Sequence, residues 1–354
     1  MTKQQDSITS ITLDDEMTQV SRLPKGTGTS FMEDTDFLLL TESEGFDIMM
    51  GQAIFRFGGG KDGIWQVEDT GAIQTSIIIV PKEMRGKMHD NEYVGNRVYP
   101  TDWTSKLKVT KTDKEVTWEI DNLKYTCRPP YWEFKGEHMG VEIDLKATAV
   151  YDAVHFRGRQ EDLLTKGSTG FGNPFVAEGN IKAKGRTYPI KNALGNHDKV
   201  IFTGDLVKHF HDHHITYYWI WGLHPDFKTM LYFVPGQPSF AWLNLKGKDE
   251  NNGIAEMEVT PLEFWIDPAT GVQIPVRERM HVRTENGSLD VTVQAYARMN
   301  YGYLSKSGTS LHCAMLCQTN GKFYHKDGRV SPITEVKTYV EWGRALFPLV
   351  SGTT

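Results

Sequence analysis

The densest run of side chains able to do chemistry is His209-Phe210-His211-Asp212-His213-His214. On a strand, His209, His211 and His213 would point the same way, because side chains alternate across a strand. His-x-His pairs can ligate zinc, and three neutral imidazoles plus a water would form a hydrolytic or hydratase centre. Same-face neighbours on one strand stand ~7 Å apart, which is wide for three ligands around one ion. Three readings stand side by side: a metal site, pocket-lining acid/base groups with His211 and His213 foremost, and a polar loop leading into a strand at Ile215. The next residues, Tyr217-Tyr218-Trp219-Ile220-Trp221-Gly222-Leu223, place Tyr217, Trp219 and Trp221 on one strand face. Aromatic faces stabilise cations, so this face could shield a carbocation. The competing reading is that it fills a barrel core. His224, before Pro225, reads as a turn residue or a substrate contact.

Other candidates carry less. Arg128-Pro129-Pro130-Tyr131-Trp132-Glu133 reads as a rigid aromatic segment between strands, with Trp132 either packing or walling a cavity. Cys313 and Cys317 have no second pair to complete a structural zinc site. Gly58-Gly59-Gly60-Lys61 lacks the rest of a phosphate-binding loop and reads as a β-turn. No Gly-x-Ser-x-Gly appears, which disfavours a serine hydrolase.

Strands must position these residues. Ile54–Phe57, Ala72–Val80, Lys106–Thr110, Lys114–Ile120 and Val141–Ala147 are β-branched or alternate in polarity. So do Asn180–Ala183, Thr187–Ile190, Ile215–Leu223, Thr229–Val234, Ala255–Val259, Phe264–Ile266, Val276–Val282 and Leu289–Ala295. Lys184-Gly185-Arg186, Pro235-Gly236, Pro268-Ala269-Thr270-Gly271 and Glu285-Asn286-Gly287 are the turns between them. Spacing of about 8–12 residues between turns predicts an all-β sandwich or barrel. Short helices are expected only near Glu341–Leu346 or in the 30s. Residues 1–30 are polar and read as an N-terminal arm.

The chain has 354 residues, enough for roughly two domains. Its 39 Lys and Arg against 45 Asp and Glu leave a net charge of -6, with no basic excess to neutralise a phosphate backbone, so nucleic acid is not an expected partner. No apolar run approaches the ~20 residues of a membrane-spanning helix. The first residues lack a signal peptide's apolar core, and the three cysteines form no disulfide framework. A reducing, cytoplasmic setting is expected; a homodimer is one arrangement the sequence allows.

From about residue 140 the order of motifs becomes specific. Val141–Leu145 comes first, then Glu178-Gly179-Asn180-Ile181 through Lys184-Gly185-Arg186-Thr187-Tyr188-Pro189-Ile190. Gly195-Asn196-His197-Asp198 follows, then the Tyr217–Leu223 strand, Trp265-Ile266-Asp267-Pro268-Ala269-Thr270-Gly271-Val272-Gln273-Ile274-Pro275-Val276, and Tyr339-Val340-Glu341-Trp342-Gly343. This order resembles the lipocalin-like family of carotenoid 1,2-hydratases (hydroxyneurosporene synthases), AttH-type proteins, fungal kievitone hydratase and the related fungal Diels–Alderases. The resemblance covers roughly residues 140–345. It implies two tandem lipocalin-like antiparallel β-domains, here bounded at 31–192 and 193–354, with a ligand cavity in a barrel or between domains. It also implies action on hydrophobic small molecules with no organic cofactor. Asp198 aligns with the family's Asp of an Asp-His pair, but Lys199 stands where the His would follow. Glu341 matches the family's C-terminal Glu.

Protonating an alkene requires an acid held in an apolar pocket, where burial raises a carboxyl pKa and keeps its proton at neutral pH. With the resemblance, the expected acid/base residues are Asp198, His197, His211, His213 and Glu341. The expected substrate contacts are Tyr217, Trp219, Trp221, His224, Trp132 and Trp265. For Asp198 and Glu341 the bland alternatives are a turn residue and a barrel-end anchor. The expected function is a cofactor-independent lyase on an isoprenoid, polyketide or phenolic compound, hydrating or dehydrating a C=C bond. A pericyclase or cyclase on the same scaffold, a non-catalytic carrier of an apolar ligand, and a metal-dependent hydrolase or lyase using His209–His214 are the alternatives.

Overall fold

A computed structural model describes residues 8–17, 31–58, 70–86, 93–95, 107–156, 158–159, 168–203, 216–236, 238–268, 270–305 and 308–346. After a four-residue helix α1 (Leu13–Glu16) come β1 (Phe31–Ser43), β2 (Phe46–Gly58), β3 (Thr70–Pro81), β4 (Tyr93–Gly95), β5 (Lys108–Lys111) and β6 (Val116–Ile120). There follow β7 (Leu123–Arg128), β8 (Tyr131–His138), β9 (Val141–Ala149), β10 (Ser168–Ala183) and β11 (Arg186–Thr203). The remainder is β12 (Thr216–His224), β13 (Phe227–Phe233), β14 (Ser239–Leu245), β15 (Lys248–Ile266), β16 (Gln273–Thr284), β17 (Gly287–Ser305), β18 (Gly308–His325) and β19 (Val330–Leu346). The fold is all-β, as the turn spacing predicts. The two segments expected to allow short helices are strands, β1 and β19, and the described helix lies in the N-terminal arm instead. No helix among the described residues is long and apolar enough to cross a membrane.

The strands form an 11-stranded sheet ordered β4-β3-β2-β1-β11-β10-β9-β8-β7-β6-β5 and a closed eight-stranded barrel, β12 to β19. The chain divides into two compact units. The first takes Met1–Glu44, Met50–Ile77 and Val94–Leu206, and the second Gly45–Met49, Ile78–Tyr93 and Val207–Thr354. Residue 192 falls within β11, which pairs with β1 and β10, so that strand stays with the first unit.

Local sequence explains the strands. Along β9 buried and exposed residues alternate without a break, which is the pattern of a strand with one wet face. Lys184 and Gly185 link β10 to β11 with φ of 50° and 74°, the left-handed pair of a two-residue hairpin turn. The core of the second unit fills the barrel with Tyr218, Ile220, Ile274, Val276, Met280, Cys313, Met315, Cys317, Val340 and Trp342. Tyr217, Trp219 and Trp221 have the opposite parity on β12. They therefore lie on the other face from this core, not within it.

Candidate active site

That other face holds a connected polar network of the second unit. Its centre is Glu341 on β19. The register sets Trp219 directly across from Glu341, Tyr217 across from Gly343, and Trp221 across from Tyr339. On the other side, β18 places His312 beside Gly343, and β17 places Tyr301 beside His312. Four neighbouring strands thus deliver one row of side chains.

Three phenols donate to the Glu341 carboxylate. Tyr217 and Tyr301 make short hydrogen bonds to it, and the Tyr339 hydroxyl donates to Oε2 at 2.9 Å. The Tyr217 oxygen also lies 2.7 Å from His312 Nδ1. Because the phenol's proton goes to Glu341, it accepts from the imidazole N–H. His312 Nε2 rests 2.6 Å from Ser310 Oγ, and its ring stacks on Tyr301 at 5.0 Å. The result is a continuous path from Ser310 through His312 and Tyr217 to Glu341.

Electrostatics set the carboxyl's state. Burial alone would push Glu341 up. Against it, the His312 imidazole and the hydrogen bonds from Tyr217 and Tyr301 pull it down to about 2. The group is an anion at neutral pH, and its side chain keeps 12% of its exposure. Trp219 sits edge-on to Trp221 at 6.3 Å and to Tyr339 at 6.4 Å, so aromatic surface adjoins the anion. This arrangement can take a proton at Glu341, deliver one from His312 by way of Tyr217, and shield positive charge on carbon.

Gly343 makes the row feasible. A Cβ there would lie 1.9 Å from Tyr217 Cε1, so the ring lies flat over a residue with no side chain. Gly343→Ala is expected to destabilise the chain by roughly 1–3 kcal/mol through overpacking. In a Tyr217→Ala background the same change should cost little, since the clashing ring is gone. Urea midpoints of the four proteins in this cycle test it; equal costs in both backgrounds would reject the contact.

The first unit holds His197 and Trp132 together, with ring centroids 5.2 Å apart. Their partner is Glu16 of α1, which no sequence signal marked. Its carboxylate lies 3.1 Å from His197 Nε2 through both oxygens and accepts from Trp132 Nε1 at 2.7 Å. Asp36's carbonyl accepts from His197 Nδ1 at 2.8 Å. Burial pushes Glu16 up, but His197 and Lys199 hold it below the usual carboxylate value. Asp198, the next residue on β11, points to the opposite face. It is buried there and registered across from Asp36 on β1, not in a turn.

The remaining expected residues scatter. His224 caps the turn after β12, where its Nδ1 accepts from the Asp226 N–H at 3.2 Å. Trp265 packs against the barrel core with the Arg298 guanidinium 3.1 Å above its ring. His211 and His213, with the whole His209–His214 run, lie outside the described residues. Sequence reading missed Tyr301, Ser310 and His312. The available signal was a lone histidine in the apolar run Leu311-His312-Cys313 on β18. It also missed Glu278 on β16, which faces into the barrel, is fully buried and has an Oε1 with no hydrogen-bond partner among the described residues. Burial pushes its carboxyl up to about 8, with a hydrogen bond from Tyr218 pulling back.

No family model and no curated protein matches the chain. Solved structures do match. The AttH-type protein of Nitrosomonas europaea is 12% identical over 90% of this chain and 93% of its own, with a TM-score of 0.55. CghA is 9% identical over 91% and 90%, with a TM-score of 0.60. Kievitone hydratase from Nectria haematococca is 12% identical over 91% and 90%, with a TM-score of 0.50. The chain has the tandem β fold of these proteins, as its motif order implies.

Proposed function

We propose that the chain is a cofactor-independent lyase that adds or removes water across a C=C bond of a hydrophobic isoprenoid, polyketide or phenolic compound. The observation that carries this reading is the Glu341 anion, tied to Tyr217 and His312 beside the Trp219 and Trp221 rings. In hydration, His312 supplies a proton through Tyr217 to one alkene carbon. The adjacent aromatic faces shield the cation on the other carbon. Water adds there as Glu341 takes its proton, which returns through Tyr217 to His312, and the reverse sequence is dehydration. Asp198 and His197 in the first unit, and His211 and His213, stay as further acid/base candidates. Support comes also from kievitone hydratase, a hydratase by name, and from CghA, of which a crystal structure contains Sch210972.

Incubating the purified chain with prenylated, polyene and phenolic compounds in oxygen-18 water tests the reading. Hydration puts one labelled oxygen into the product, and dehydration yields a product lighter by one water. An unlabelled isomer of the substrate would replace this reading with a cyclase. Unchanged ligand recovered at stoichiometric amounts would mean a carrier. Activity abolished by chelator would move the chemistry to the His209–His214 run.

A further inference from the structure

We propose that Glu16, Cys127 and His197 form a binding site for one divalent ion of the zinc class. The three come from α1, β7 and β11, and their ligating atoms all lie within 4.8 Å of one another. A tetrahedral ion with bonds of 2.0–2.3 Å holds its ligand atoms roughly 3.3–3.8 Å apart, so a small closure completes the set. Thiolate, imidazole and carboxylate together suit zinc, where a magnesium or calcium site would offer oxygen alone.

The second feature is how two of these ligands are held. His197 Nδ1 donates to the Asp36 carbonyl at 2.8 Å, which fixes the ring and turns Nε2 toward Glu16. Trp132 Nε1 occupies Glu16 Oε1 at 2.7 Å, leaving Oε2 to face the ion. Metal-ligating histidines and carboxylates are braced in this way by outer hydrogen bonds. Trp132, Phe134 and Phe171 surround the imidazole with ring centroids 5.2, 6.0 and 5.9 Å away, giving a dry wall.

Nε2 faces both oxygens of Glu16 at 3.1 Å, so imidazole and carboxylate already converge on one point. Metal binding displaces the proton of a ligating thiol, here that of Cys127. Lys199, the nearby cation, is neutralised by Glu33 at 2.9 Å and lies over Trp118 at 4.1 Å. Three protein ligands leave a fourth position for water or a ligand atom, as in catalytic zinc sites.

Cobalt(II) is the probe. The full chain is stripped with chelator and given cobalt(II), both folded and during refolding, because all three ligands are enclosed. The expected result is one equivalent bound, with a thiolate-to-cobalt charge-transfer band that zinc abolishes. A Cys313→Ser/Cys317→Ser variant should keep the band and Cys127→Ser should lose it. If Cys127→Ser does not fold, alkylation of wild type decides, since bound zinc should protect Cys127 alone among the three thiols. No charge-transfer band at millimolar cobalt in either preparation, or a band that persists in folded Cys127→Ser, would overturn the proposal. Hydratase activity that survives complete stripping leaves it intact, because the Glu341 chemistry does not use this site.

Discussion

Replacing Glu341 by Gln is expected to lower turnover by about two or more orders of magnitude, the usual loss when a positioned general base is removed. The carboxylate is an anion held by three phenols. Gln keeps one acceptor oxygen and the shape but cannot accept a proton, and its amide nitrogen replaces either the oxygen that accepts from Tyr217 or the one that accepts from both Tyr301 and Tyr339. The lost acceptor costs about 1–3 kcal/mol, so the variant should still fold. Tyr217→Phe breaks the link to His312 while sparing the carboxylate. It should cut hydration strongly if the proton travels by that path. The readout is kcat against KM: a base acting only in the transition state lowers kcat with KM little changed. A fall of less than tenfold in kcat for Glu341→Gln would sink its role as base. It would favour a pocket that merely folds the substrate, as in a cyclase. In the same assay Asp198→Ala separates the two units: a comparable loss would assign Asp198 the proton donor's part.

The second large effect is on stability and comes from Glu278. Its carboxyl is pushed from an ordinary 4.5 to about 8 by burial inside the barrel. A raised folded-state value means that stability is fully present below pH 4.5 and is lost as pH rises through about 8. At pH 7 the loss relative to pH 4 is on the order of 3 kcal/mol, at 1.36 kcal/mol per unit. Glu278→Gln removes the ionisation. Paired urea melts should show the variant near wild type at pH 4 and progressively more stable above it. Glu341 has the opposite sign. Held at about 2, it contributes stability above pH 4.5 that is lost as pH falls through about 2. The two carboxyls of one barrel therefore limit its stability from opposite ends of the pH scale. Parallel pH profiles for wild type and Glu278→Gln would reject the assignment.

Much of the molecule was legible in the chain. Val141–Ala147 alternates because β9 has one wet face. Lys184-Gly185 marks the β10–β11 hairpin because Gly accepts left-handed backbone. The motif order from residue 140 pointed to the tandem β fold, and it singled out Glu341 and the Tyr217–Trp221 strand. Alternation could not say which face of β12 meets the barrel core. Tyr217, Tyr218, Ile220 and Trp221 are all buried, so both faces read as apolar.

Closure of the barrel decided the rest. Pairing β12 with β19 brings Trp219 opposite Glu341, and β17 and β18 add Tyr301 and His312 from elsewhere in the sequence. Glu16 looked like one more acid in a polar arm until α1 buried it against His197 and Trp132. Glu278 stands between two arginines, Arg277 and Arg279, and nothing local marks it as buried; inward parity on β16 makes it a buried acid. Periodicity reports which residues share a face, a property of a few consecutive positions. A carboxylate's charge state depends on the solvent it loses and the partners it meets, and those are supplied by strands distant in sequence.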